Sequence, residues 1–152
     1  SNLSKWRLSM STLDGKVKYL IQHIKEHCRL RHIKCGIDGA FIKDLYYRQD
    51  GRCYYSGLHM TAGTAKRKVD GKLHIHDPFV ISVDRKDSSG NYTKDNIVLT
   101  CWIVNNAKNQ LSEEGFVEIC RIVAKHNPRK EASIELDKLE KSVQLELLFD
   151  QA

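Results

Sequence analysis

Apolar residues in the first third of the chain recur at the spacing of helices. Between residues 15 and 32 they fall three or four positions apart, which gives one apolar stripe: Val17, Leu20, Ile21, Ile24 and Cys28. Thr12 or Asp14 can cap this helix at its start. A second helix is predicted from a cap at Asp38 to Tyr46, before the turn at 50–51. The pattern therefore predicts a helical N-terminal part over residues 12–50.

The middle of the chain changes to short β-forming segments. Residues 61–72 are small, polar and basic, which predicts an exposed loop or the tip of a hairpin. Residues 78–83 are rich in β-formers and lead directly into Asp84, and residues 97–99 form a second such segment. Turn residues fill positions 88–91, and the segment 100–110 is predicted to be helical. Strand, turn, strand and helix are thus expected over about 77–110.

Two further helices are predicted toward the C-terminus. The first covers 112–126, opens at Ser112 and stops at Pro128, and its apolar side carries Phe116, Ile119, Cys120 and Val123. The second is an acidic amphipathic helix within 131–152, with a seam of apolar residues: Leu136, Leu139, Val143 and Leu147. This seam can join a second copy or another protein, or it can fold back on its own domain.

Composition limits the class of protein. A length of 152 residues suits one domain, predicted over 1–130, with the helix of 131–152 as an appendage. With 41% hydrophobic and 29% charged residues, the chain is expected to be globular rather than disordered. Its longest apolar stretch, 97–104, is too short for a bilayer, and no leader sequence opens it. We therefore expect no membrane partner and a cytoplasmic location.

Charge favours a polyanionic partner. The net charge is +6, but residues 1–130 carry 23 Lys and Arg against 13 Asp and Glu, whereas residues 131–152 carry 2 against 6. A basic body attracts nucleic acid because neutralised phosphates release counterions. The alternative is an ordinary solvated surface with an excess of lysine.

The cysteines do not indicate a zinc ribbon or a disulfide framework. The chain has five of them, an odd number, and none forms a C-x-x-C pair: Cys28, Cys35, Cys53, Cys101 and Cys120. Reduced cysteines packed as small apolar residues are therefore expected.

Candidate chemistry lies in the predicted strand–turn–strand–helix segment. Asp84 ends the first strand, Asn96 starts the second, and Asn105 follows on the helix with Lys108 one turn later. A carboxylate and an amide oxygen are hard ligands that suit Mg²⁺ or Mn²⁺, which also accept water and phosphate. Such an ion can stabilise a scissile phosphodiester. The structural alternative is that Asp84 caps the loop and Asn105 caps a helix.

These residues resemble a known family. The stretch SVDRKDSSGNYTKDNIVLTCWIVNNAKNQLSEEGFVEIC, residues 82–120, resembles the ββα-metal core of HNH-type endonucleases, especially small phage-like members. There a strand ends in Asp-His or Asp-Arg, a Gly-Tyr or Asn-Tyr turn and Asn-Val follow, and an N-x-x-K helix closes the core. The stretch CRLRHIKCGIDGAFIKDLYYRQDGRCYYSGLHM, residues 28–60, is similar to the region that precedes it, with its G-x-C-x-x-[ST]-G turn. The resemblance covers about residues 28–126.

The resemblance implies an α+β fold, in which N-terminal helices and one or two C-terminal helices flank a ββα-metal core. It implies that Asp84 and Asn105 are the metal ligands, with Asn106 as the competing choice that the N-x-x-K register disfavours. Asn96 would hold the loop and the general base through backbone hydrogen bonds. Lys108 would approach phosphate.

Two positions depart from the family pattern. The general base is normally a His directly after the ligand Asp, but here that position is Arg85, which stays protonated and can grip phosphate instead. Three alternatives follow. Another histidine can supply the base, with His76 or His74 the nearest candidates and His59 the next, or the metal-bound water can react by itself, more slowly. In the third alternative, the site has lost hydrolysis and kept nucleic-acid binding. Where zinc-bound relatives carry C-x-x-C, Cys53 is followed by Ser56, so Cys53 is expected in the core.

The sequence thus predicts a metal-dependent DNA endonuclease. The residues expected to contact nucleic acid are basic: Lys66, Arg67, Lys68, Arg85, Lys86 and Lys108. Such contacts are largely independent of base sequence. The alternative is a non-catalytic nucleic-acid-binding module on a degenerate HNH core, and Arg85 is the residue that favours it.

Overall fold

The computed structural model describes residues 11–128. They form a mixed α+β fold, and eight elements follow one another along them: α1 (Leu13–Arg31), α2 (Gly39–Arg48), β1 (Lys66–Val69), β2 (Lys72–Ile75), β3 (Ile81–Arg85), β4 (Ile97–Cys101), α3 (Trp102–Lys108) and α4 (Glu113–His126). The described residues divide into two compact units, 11–116 and 117–128. The predicted domain limit at residue 130 and the helix of 131–152 lie outside the described residues. The α+β class is confirmed.

The two N-terminal helices begin at the predicted caps. Thr12 Oγ1 accepts a hydrogen bond from the Gly15 amide (3.1 Å), and Asp38 Oδ1 accepts one from the Phe41 amide (2.8 Å). These bonds satisfy amides that have no partner inside a helix. The predicted stripe of α1 packs inward, with its most buried apolar members at Val17, Ile24 and Cys28.

Residues 61–72, predicted to be a loop or a hairpin tip, contribute to a hairpin. Strands β1 and β2 pair antiparallel, from Lys66 opposite Ile75 to Val69 opposite Lys72. Asp70 and Gly71 form the turn with φ of 49° and 76°, as a two-residue hairpin turn requires. All but one of the residues in the two strands are exposed, so this hairpin is a two-stranded ribbon with solvent on both faces.

Strand, strand and helix follow one another in the predicted order over 81–108. Strand β3 pairs antiparallel with β4, from Ile81 opposite Cys101 to Arg85 opposite Ile97. Every residue of β4 is buried. The second strand was predicted to end at Leu99, but Thr100 and Cys101 continue the pairing with β3, so the helix begins only at Trp102.

The last described helix begins where the sequence predicts. Ser112 Oγ accepts a hydrogen bond from the Gly115 amide (3.1 Å), and α4 ends at His126. Within residues 11–128 no helix is both long enough and apolar enough to cross a membrane.

The cysteines follow the expectation only in part. Cys28, Cys53 and Cys101 are buried, but Cys35 and Cys120 are exposed, which corrects the prediction that all five pack as core residues. Cys53 has 2% of its surface exposed, as its position before Ser56 suggested.

Candidate functional site

Asp84 and Asn105 line one cavity of about 380 Å³, together with Arg85 and Arg31. We call it the Asp84 cavity. Asp84 lies near the end of β3, and Asn105 lies on α3, which follows β4 without a loop. Because β4 pairs with β3, the helix starts beside the strand that carries Asp84. The fold thus brings together the two residues that the sequence singled out as metal ligands.

The Asp84 carboxylate is held in one orientation. It is only 4% exposed, and its two oxygens have different partners. Tyr55 donates its hydroxyl hydrogen to Oδ2 (3.0 Å), and Lys108 Nζ lies 3.3 Å from Oδ1. Burial raises the pKa of the Asp84 carboxyl, while the Lys108 charge and the Tyr55 hydrogen bond act in the opposite direction. Burial likewise raises the pKa of Tyr55, and the Asp84 charge adds to this effect.

The Asn105 amide is oriented by its hydrogen bonds. Its Nδ2 donates to Ser82 Oγ (2.7 Å) and to the Val83 carbonyl (3.1 Å). Because a carbonyl accepts but never donates, the nitrogen and not the oxygen must face Val83. Both amide hydrogens are then used, and Oδ1 is the atom of this side chain that remains available as a ligand. The competing residue, Asn106, is exposed and does not line this cavity.

The chemistry of this donor set fits Mg²⁺ or Mn²⁺. The Asp84 carboxylate and Asn105 Oδ1 are hard oxygen donors, and such ions commonly take few protein ligands and fill their other positions with water and phosphate. Among residues 11–128 no group of three or more His, Cys, Asp or Glu could hold a metal ion. The Lys108 ammonium is the competing cation, since it already contacts Asp84 Oδ1.

Lys108 was predicted to contact phosphate, but in the structure it is buried and bonded to other residues of the protein. It has no exposed surface, and Nζ bonds three acceptors: Asp84 Oδ1 at 3.3 Å, the Arg85 carbonyl at 3.0 Å and Ser88 Oγ at 3.3 Å. These partners account for all three ammonium hydrogens. Lys108 therefore anchors the end of β3 to α3, and a phosphate could reach it only if these bonds broke.

Arg85 both supports the loop and faces the cavity. Its Nη1 donates to the Gly90 carbonyl (2.6 Å), and its guanidinium lies over the Tyr92 ring, 5.0 Å from the centroid. A guanidinium has five N–H donors, so one bond to Gly90 leaves others for a phosphate. This geometry suits a cation held in a fixed orientation at the cavity wall.

Asn96 holds the loop between β3 and β4. Its Oδ1 accepts a hydrogen bond from the Asp87 amide (2.9 Å), and its Nδ2 donates to the carbonyls of Asp87 (3.1 Å) and Asn91 (2.9 Å). Lys86 lies half-buried in the same loop, where its amide donates to the Asn96 carbonyl (2.9 Å). The three hydrogen bonds of the Asn96 side chain thus fix the loop between β3 and β4.

His76 is not placed beside Asp84. It lies at the base of the ribbon, where its amide donates to the Ala65 carbonyl (2.8 Å) and its Nε2 lies 3.1 Å from Arg67 Nη2. Of the histidines in residues 11–128, none lines the Asp84 cavity, His74 and His59 included. The basic residues 66–68 belong to strand β1 and do not line this cavity either.

Sequence reasoning missed two residues of this site. Tyr55 contacts Asp84 across 29 positions of sequence, and its ring packs edge-to-face on Phe116, with centroids 5.4 Å apart. Arg31, in the last turn of α1, lines the cavity. The G-x-C-x-x-[ST]-G turn at residues 51–57 and the arginine at the end of α1 were the available signals, but neither specifies a contact with Asp84.

Comparison of the chain with models of protein families, with curated proteins and with solved structures finds no match in any of the three. A functional assignment therefore depends on the geometry of the Asp84 cavity and on the charge around it.

Proposed function

We propose that this protein is a metal-dependent DNA endonuclease of the HNH type, in which Asp84 and Asn105 hold Mg²⁺ or Mn²⁺. The observation that carries the proposal is the strand–strand–helix arrangement, in which Asp84 and Asn105 line one cavity together with two arginines. The resemblance of residues 82–120 to a ββα-metal core supports the same assignment.

The chain's own residues have separate tasks in this proposal. Arg85 and Arg31 bind the substrate phosphate and offset its charge. Tyr55 and Lys108 hold the Asp84 carboxylate in place. A bound divalent ion would stabilise the charge that develops on the scissile phosphate and on the departing 3′ oxygen.

The wider surface favours a nucleic acid over a small phosphate ester. The ribbon of β1 and β2 exposes Lys66 and Lys68, which alternate with Arg67 along one strand. The major groove of DNA admits such a two-stranded ribbon, and contacts from lysines to phosphates are independent of base sequence. Lys86 adds a cation in the loop beside the cavity.

Two observations favour a second candidate, a non-catalytic nucleic-acid-binding module on the same core. Lys108 already neutralises Asp84, and no histidine of the described residues lines the cavity as a general base. A module of this kind would bind DNA in EDTA, lose affinity with salt and cut nothing.

A plasmid assay separates the two candidates. Supercoiled DNA is incubated with the protein in Mg²⁺, Mn²⁺ or EDTA, beside Asp84→Asn and a matched control, Asp44→Asn, which alters an exposed carboxylate on α2. Nicking or linearisation that needs the metal, survives in the control and disappears in Asp84→Asn is the expected result. No cleavage by any of the proteins, with a gel shift that persists in EDTA, would establish the binding module instead.

The general base is tested in the same assay. His76 stays the base predicted from the sequence, although its ring lies against Arg67 in the structure. His76→Ala removes the ring without touching the Asp84 cavity. Cleavage at the wild-type rate by this variant would exclude His76 as the base.

A further inference from the structure

A second cavity, of about 490 Å³, lies between helix α1 and strand β3. We call it the α1 cavity. Helix α1 contributes Lys16, Tyr19, His23 and His27, which recur at three- and four-residue spacing and therefore lie on one helix face. Its volume lies in the range typical of sites for small organic ligands. Asp84 and Asn105, the residues of the proposed endonuclease chemistry, do not line the α1 cavity, so that chemistry gives this cavity no role.

The charge of the α1 cavity favours an anion. Lys16 is only 5% exposed, and its Nζ donates to the Gly63 carbonyl (2.9 Å), which uses one of three ammonium hydrogens. Lys66 lines the same cavity, and among the described lining residues none is Asp or Glu. Burial lowers the pKa of Lys16 to about 8, and the charge of Asp77 partly offsets this effect. An anionic ligand would supply the solvation that this buried ammonium lacks.

The aromatic residues of the α1 cavity favour a flat ring next to that anion. Trp102 lies beside Lys66, whose Nζ is 5.1 Å from the centroid of its ring. Tyr92 meets His27 edge-to-face, with centroids 5.9 Å apart. Aromatic side chains next to cations are the common means of binding a nucleobase and its phosphate, since every base has a face that stacks.

The α1 cavity and the Asp84 cavity adjoin each other. Val83 and Tyr92 line both of them, so a strand with one phosphate at Asp84 can place a neighbouring nucleotide in the α1 cavity. We propose that the α1 cavity receives an unpaired nucleobase of the bound strand, whose phosphate lies near Lys16 and Lys66. This inference rests on the proposed function, and it makes DNA with an unpaired base the preferred substrate.

The test is a binding measurement in EDTA, so that cleavage plays no part. A fluorescent duplex with one unpaired 2-aminopurine is compared by anisotropy with the fully paired duplex of the same length. The variants are Lys16→Met and Trp102→Leu. The matched control is Lys18→Met, which removes the same charge from an exposed position of α1 outside the cavity.

We expect wild-type protein to bind the duplex with the unpaired base about tenfold more tightly, given the usual strength of base–aromatic stacking. We also expect the 2-aminopurine emission to fall on binding. Lys16→Met and Trp102→Leu should lose most of this preference, whereas Lys18→Met should keep it. Circular dichroism checks the fold of each variant, and Lys16→Met, which keeps the side-chain volume, decides the test if Trp102→Leu does not fold.

Equal affinity of the wild type for both duplexes would overturn the inference, and so would a preference that survives in Lys16→Met. Competition by a free deoxynucleoside monophosphate at low millimolar concentration would show a site for single nucleotides and overturn the assignment to a strand. Plasmid cleavage is measured separately: cleavage without the binding preference rejects only this inference, and the preference without cleavage rejects only the endonuclease.

Discussion

The Lys108 ammonium lies 3.3 Å from Oδ1 of Asp84, and the two side chains are 0% and 4% exposed. Lys108 follows Asn105 by one turn of α3, so both residues lie on the helix face directed at β3. The buried Asp84 carboxylate thus already has a cationic partner within the protein. Any divalent ion at Asp84 has to share the carboxylate with it.

Lys108→Met should lower the free energy of unfolding by about 3 kcal/mol at pH 7, because it leaves the buried Asp84 charge without its partner. The loss should shrink in acid, where Asp84 takes up a proton and needs no partner. Urea unfolding at pH 7 and at an acidic pH measures the loss of stability under the two conditions. Lys86→Met, at a half-buried position of the loop after β3, is the control, and its free energy of unfolding is expected to lie within about 0.5 kcal/mol of wild type. An unchanged midpoint in Lys108→Met would contradict this account of the ion pair.

Tyr55→Phe should lower the stability of the protein and its affinity for metal, while the ring packing on Phe116 stays intact. The variant loses only the hydroxyl that holds Asp84 Oδ2, so we expect a stability loss of about 1–2 kcal/mol. Loss of a residue that hydrogen-bonds a metal ligand commonly lowers metal affinity by roughly 10- to 100-fold, and Mn²⁺ titration measures that change. Tyr54→Phe is the matched control, because its hydroxyl bonds Glu113 at the surface. Equal metal affinities in the two variants would show that Tyr55 has no positioning role.

Asn105→Asp should keep an oxygen ligand but lose stability. A carboxylate cannot donate to the Val83 carbonyl, so that half-buried acceptor loses its partner, at a cost of about 1–3 kcal/mol. We expect cleavage to survive with a changed metal preference, and to be lost in Asn105→Ala. Thermal unfolding and plasmid cleavage measure the two effects. Asn106→Asp, at the exposed neighbouring position, serves as control, and loss of cleavage in Asn106→Ala alone would reverse the assignment of the ligand.

Lys16→Met should stabilise the protein most below pH 8. The pKa of Lys16 falls from 10.5 to about 8 on folding, so the unfolded chain binds the proton more tightly than the native protein does. Wild-type stability should then rise between about pH 8 and pH 10.5 relative to Lys16→Met, by up to about 3 kcal/mol. Urea unfolding of both proteins across this range measures the difference. A constant difference would show that Lys16 titrates normally in the native state.

Lys66→Met and Lys68→Met should each weaken DNA binding by a similar factor for every sequence. Both lysines are exposed on β1, and removing one lysine–phosphate ion pair makes the slope of log K against log salt shallower by about 0.9. Anisotropy titrations between low and moderate salt measure the slope. Lys18→Met on α1 is the control. If the slopes of all three variants equal that of wild type, the ribbon does not bind the phosphates.

The order and type of the helices, and of the two strands around Asp84, were predictable from local patterns, whereas strands β1 and β2 were expected only as a loop or a hairpin tip. Helical spacing of apolar residues, the caps at Thr12 and Asp38, and the β-forming runs around Asp84 each act within a few residues, and the corresponding helices and strands are present. The end of β4 was not predictable, because pairing with β3 extends it through Thr100 and Cys101.

The candidate site likewise has residues that the sequence could identify and contacts that only the folded chain shows. Asp84 and Asn105 could be selected from the sequence, because their donor chemistry and their positions on a strand and the next helix are local properties. The burial of Lys108, the hydrogen bond of Tyr55 to Asp84 and the separation of His76 from the cavity required the folded chain. Each of these depends on residues far apart in sequence that pack together, and spacing along a chain carries no information about such packing.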